Sequence, residues 1–123
     1  MKLAIDFDGT CTDNAWPDIG QDVPGAVEAL HELSAQGHQL ILWTCREGQT
    51  LDEAVQWFAD RQIDLAGVNE APGQTPGQRK VWADIYIDDK AAGAPLLHLY
   101  GFNAPVIDWA SVLWLIAAIN ITR

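Results

Sequence analysis

Cysteine is scarce in this chain, at two residues in 123, Cys11 and Cys45. At most one disulfide could form, and a chain of this length buries enough apolar surface to fold without it, so we expect buried, reduced thiols. Long apolar runs are missing too. The most apolar stretch, Trp109 to Ile119, has 11 residues and includes Ser111, which is too short to span a bilayer. Met1 to Asp6 meets an acid at its sixth position and holds no signal-peptide core. These absences point to a cytoplasmic protein with no membrane partner. Positive charge is also thin: 7 basic residues face 17 acidic ones, for a net charge of −10. Such a field repels polyanions, so no nucleic-acid partner is expected. A small anionic substrate stays open if local cations reverse the sign at one place.

Several signatures are absent as well. Neither common Gly-rich phosphate loop occurs. The positions where a cysteine phosphatase needs its arginine are Pro17 and Leu51. A calcium loop starting at Asp6 would need glycine and glutamate where Cys11 and Pro17 stand. His31, His38 and His98 lack metal-ligand spacing and read as surface or core polar residues.

What is present is a chain that is 49% apolar with a mean hydropathy near zero, enough for one domain with a real core. Lys2 to Asp6 is a short buried strand ending in Asp-Phe-Asp-Gly-Thr. Pro24 suits the first turn of a helix that stops at Gly37. Gln39 to Trp43 is a second strand, ending in Thr44-Cys45-Arg46-Glu47-Gly48. Thr50 with Glu53 three residues on predicts a capping box for a second helix ending near Arg61. Asp64 to Val68 reads as a third strand, the Pro- and Gly-containing 69–78 as a loop, and Asp84 to Ile87 as a fourth strand running into Asp88-Asp89. Ala104 to Ile107 is a candidate fifth strand, and Asp108 can cap a final helix. Strands alternating with helices imply an α/β fold, a parallel sheet between helices in three layers. Residues 1–123 are expected to form a single domain.

In such sheets ligands bind beyond the carboxyl ends of the strands, and three polar clusters fall at three such ends. Asp6 and Asp8 on an extended segment would face the same side, about 6–7 Å apart along the chain. Gly9 permits a tight turn behind them. Thr44 offers a hydroxyl and an N–H to an anion. Adjacent Asp88 and Asp89 repel each other and resist desolvation. Four carboxylates in one crevice need a cation, since two unit charges 4 Å apart repel by roughly 4 kcal/mol at an effective dielectric near 20. Hard oxygen ligands with room for water and phosphate suit Mg2+. Lys80 supplies one further positive charge. The sum is still negative, so Arg46 is expected to help hold an anionic substrate.

This pattern resembles the haloacid dehalogenase superfamily. Asp6-Phe7-Asp8-Gly9-Thr10 is similar to its nucleophile loop, Thr44 to its second-motif phosphate ligand, Lys80 to its third-motif lysine and Asp88-Asp89 to its fourth-motif acidic pair. The resemblance covers about residues 2 to 95 and implies a Rossmann-like fold and a phosphohydrolase. Asp6 would be the nucleophile, forming an aspartyl-phosphate, and Asp8 the general acid/base. Asp6, the backbone carbonyl of Asp8, and Asp88 would hold Mg2+, with Asp89 in or near contact. Thr44 and Lys80 would bind the transferring phosphoryl group. An aspartate at position 8 favours phosphoryl transfer over dehalogenation.

Only about 35 residues separate Asp8 from Thr44, and about 35 separate Thr44 from Lys80, so no cap domain fits. Leu42 to Gly48 particularly resembles small bacterial capless phosphatases. Two other readings share the general shape. A signalling receiver domain would need a phospho-accepting aspartate after the third strand, where Val68-Asn69 stands. A non-catalytic binder of phosphorylated ligands would not need the Asp6-Asp8 pair. The unbroken apolar character of Trp109 to Ile119 leaves its helix without a polar face, so we expect a homo-oligomer through this segment.

Overall fold

A computed structural model describes residues 1–121. Strand β1 (Lys2–Ile5) occupies the middle of a four-stranded parallel sheet of order β3-β2-β1-β4, with β2 at Gln39–Leu42, β3 at Gly67–Val68 and β4 at Ile85–Ile87. After Lys2 its residues, Leu3, Ala4 and Ile5, are apolar and buried, because a parallel strand is covered on both faces. Ile5 pairs with Leu42 on one side and Ile87 on the other, so β1, β2 and β4 end level with one another. The ladder runs one step further, with Asp6 N donating to Ile87 O and Trp43 N to Ile5 O. The three polar clusters therefore emerge at one edge of the sheet, as the strand ends implied.

The two faces are covered differently. Leu3, Ile5, Leu40 and Leu42 join the larger core, which takes Leu30 and Leu33 from α1 (Ala26–Ala35), Trp57 and Phe58 from α2 (Gly48–Asp60) and Trp109, Val112 and Ile116 from α3 (Trp109–Ile121). Ala4 and Ile41 point the other way, onto Ala71 and Val81 of the irregular segment between β3 and β4. Among the described residues the result is a three-layer α/β arrangement with three helices and no obvious cap: α1 and β2 fill the interval from Asp8 to Thr44, and α2 and β3 fill the next. No helix among the described residues is long and apolar enough to cross a membrane.

Three local expectations are corrected. Helix α2 begins at Gly48 with Glu47 as N-cap, so Thr50 lies inside the first turn and its hydroxyl donates back to Glu47 O at 2.8 Å. Gly48 takes a φ of 56°, accessible to glycine, and the chain enters the helix earlier than the capping-box pattern indicates. The fifth strand does not join the parallel sheet. Val106–Ile107 (β6) pairs antiparallel with Leu96–Leu97 (β5), a strand too short to register as a pattern. Cys45 is exposed; Cys11 is buried, and both are free. The expected cap on α3 does form: Asp108 accepts from Ser111 Oγ at 2.7 Å and from its N–H at 3.4 Å.

Candidate active site

Phe7 is the anchor from which the site is built. Its ring is fully buried against Trp57 and Phe58, and its carbonyl accepts from the N–H groups of Thr10, Cys11 and Thr12. That knot curls residues 7–12 back over the end of β1. The loop is braced from behind by the C-terminal part of the chain. Ile107 N donates to Gly9 O at 3.1 Å, Trp109 Nε1 to Thr10 O at 2.8 Å, and Asn103 N to Asp13 Oδ2 at 2.7 Å.

Gly9 has a φ of 85°, and a Cβ built on it would overlap Asp89 Oδ2. Only glycine lets the loop lie this close to the acidic pair. Thr10 spans the same gap: its hydroxyl donates to Asp6 Oδ2 and accepts from Asp89 N, both at 3.3 Å. Asp88 is tied by its own turn, accepting from Lys90 N at 2.9 Å.

The carboxylates of Asp6, Asp88 and Asp89 converge, one oxygen of each lying within 4.8 Å of the others. Both oxygens of Asp89 are buried without a hydrogen-bond partner, and the Lys90 ammonium stands 3.7 Å away. Asp6 is pushed up to about 8, first by burial, then by the adjoining carboxyl of Asp89 and the negative charges of Asp88 and Asp89. Burial also raises Asp89. Two such groups stay close only by sharing a proton or a cation. Orphaned buried carboxylate oxygens, hard donors and surplus negative charge together fit a divalent ion.

The structure distributes the predicted residues unevenly. Asp6, Asp88 and Asp89 come together. Asp8 does not bring its carboxylate into that cluster; both its oxygens are held by Arg46. The expected four-carboxylate cluster is thus three, because the chain curls after Phe7 instead of continuing extended. Thr44 is at the end of β2, half-buried, its N–H donating to Asn69 Oδ1 and its hydroxyl accepting from Arg46 N. Lys80 is exposed and sits over the Tyr86 ring, 4.9 Å from its centre. Arg46, expected to face a substrate from an open loop, is instead buried at 3% exposure.

Thr10, Lys90 and Asn69 were not singled out by sequence reasoning. Thr10 lies within the Asp-x-Asp-Gly-Thr run, and Asn69 takes a φ of 56°, a conformation asparagine tolerates at a strand end. Cys11 lies under the site, its thiol pushed well up by burial and by the charge of Asp6, and so is inert.

No family model matches the chain. A curated relative, D-glycero-beta-D-manno-heptose-1,7-bisphosphate 7-phosphatase of Pasteurella multocida (strain Pm70), is 34% identical over 102 residues, taking in 68% of this chain and 55% of that protein. The chain therefore spans about half the length of this relative. A solved structure of a conserved protein from Bacteroides thetaiotaomicron superposes with a TM-score of 0.80 at 37% identity, covering 96% of this chain and 90% of the other.

Proposed function

From a chain that belongs to the haloacid dehalogenase superfamily, by homology to a phosphatase of that family and by a Rossmannoid fold without an obvious cap, we infer a Mg2+-dependent phosphomonoester hydrolase. The observation that carries this reading is the buried Asp89 carboxylate, orphaned against Asp6 and Asp88 at the ends of β4 and β1. Asp6, Asp88, Asp89 and the backbone carbonyl of Asp8 would hold the ion. Bound there, it would keep Asp6 ionised and offset charge on the phosphoryl oxygens.

The chain's own groups then perform two displacements. An Asp6 oxygen bonds to phosphorus, the ester P–O bond breaks, and the leaving oxygen takes a proton from Asp8. Water next gives its proton to Asp8 and attacks the same phosphorus, releasing phosphate and the Asp6 carboxylate. The Thr44 hydroxyl, whose own hydrogen is free to turn outward, and the Lys80 ammonium on its flexible stem would bind the transferring group. The substrate is a small phosphorylated molecule, and the heptose-bisphosphate phosphatase relative makes sugar phosphates the first class to screen. We place the protein in the cytoplasm, as one domain.

The test is hydrolysis of p-nitrophenyl phosphate with Mg2+. Turnover should vanish on chelation and in Asp6→Asn, while Asp8→Asn should retain slow labelling of Asp6. A fully active Asp6→Asn protein would sink the mechanism.

A further inference from the structure

Arg46 is bound more completely than any substrate ligand could be. A guanidinium carries five N–H bonds, and here each has an acceptor. Nε donates to Asp8 Oδ2 at 2.8 Å and Nη2 to Asp8 Oδ1 at 2.6 Å, a fork closed on one carboxylate. Nη2 also donates to Asp18 O at 2.8 Å, and Nη1 to Pro17 O at 3.2 Å and Thr50 O at 3.4 Å. The Phe7 ring lies beneath, 5.1 Å from the guanidinium carbon. No donor is left for a phosphate.

The arrangement joins three segments that the sequence separates: the turn after β1, the loop closed by Asp18 N on Ala15 O, and the first turn of α2. We propose that Arg46 is the positioning residue of Asp8, fixing where that carboxylate stands and fastening the 15–18 loop to it. The proposal rests on the reading of Asp8 as acid/base. It is compatible with proton transfer, because each carboxylate oxygen has two lone pairs and the fork occupies one of each. It also requires arginine. A lysine ammonium is a point charge with three donors and cannot span both oxygens of Asp8 and three carbonyls.

Steady-state kinetics with p-nitrophenyl phosphate and Mg2+ separate this role from others. Arg46→Lys should lower kcat about tenfold or more while KM stays within about twofold, the pattern of a misplaced catalytic group. In an Asp8→Asn background the same substitution should add no more than about twofold, since its effect passes through Asp8. A raised KM with kcat retained would make Arg46 a substrate ligand and overturn the proposal. So would a fully additive loss in the double variant, or a lowered melting temperature with unchanged kcat in the folded protein. If Arg46→Lys does not fold, Asp8→Glu displaces the carboxylate by one methylene on the same fork and should lose kcat at constant KM; wild-type kcat there overturns the proposal. Asp6→Asn at full rate overturns this inference and the functional reading together. An inactive Asp6→Asn with Arg46→Lys at wild-type kcat overturns this inference alone.

Discussion

Gly9 shows how much can depend on a missing side chain. With a φ of 85° and Asp89 Oδ2 where a Cβ would lie, Gly9→Ala must either move the acidic pair or open the loop. We expect Mg2+ affinity to fall tenfold or more by calorimetric titration, with a loss of about 1–3 kcal/mol in denaturant stability from backbone strain. Wild-type affinity in Gly9→Ala would show that the loop relaxes freely. Asp6 makes the second prediction at this scale. Its carboxyl is raised to about 8 from an ordinary 3.8, so the fold favours its protonated form. The contribution of Asp6 to the stability of the metal-free protein should therefore be full near and below pH 4 and be lost as pH rises towards 8. Saturating Mg2+ should remove the slope by replacing the proton. Melting temperatures across this range, with and without the ion, measure both halves of the statement.

At the level of elements, the cap on α3 is the clearest local device. Asp108→Ala removes both acceptors for Ser111 and should cost about 1 kcal/mol of stability, read from urea midpoints. Asp108 was legible because a capping residue acts within one turn. The parallel strands were legible for a related reason: runs such as Leu3-Ala4-Ile5 and Leu40-Ile41-Leu42 are buried on both faces, so their composition alone marks them. Their convergence followed from chain order. What could not be read is whatever depends on contacts between distant segments. Arg46 reaches Asp8 across 38 positions, and its sequence neighbours Cys45 and Glu47 give no sign of its burial. β5 and β6 are two residues each and exist through their pairing, not their propensity. The position of Asp8 differs from expectation because an Asp-x-Asp on a strand puts both carboxylates on one face, whereas here the three N–H groups on the Phe7 carbonyl end the strand first.

For the molecule as a whole, α3 carries an open apolar face. Trp109, Val112 and Ile116 are buried, but Trp114 is 70% exposed, and Leu115 and Ile119 are also open. Leu115 and Ile119 edge a groove of about 250 Å³ that continues past Ile85 and Ile87 of β4. We expect this surface to mediate self-association at micromolar concentration, with Trp114→Glu restoring the monomer. Light scattering that gives a monomeric mass of 13.5 kDa for the unaltered protein would refute it. The bracing of the first loop by the last strand has a separate consequence, in the order of assembly. Gly9, Thr10 and Asp13 are held by Ile107, Trp109 and Asn103, so the loop after β1 emerges from the ribosome about ninety residues before its supports. Contacts so far apart in sequence form late. The growing chain should therefore pair its four parallel strands, which end at Ile87, while still unable to turn over substrate, and gain activity only once residue 109 has been released from the exit tunnel. Translation arrested at successive lengths, assayed for hydrolysis and for protease resistance, should find the second acquired before the first.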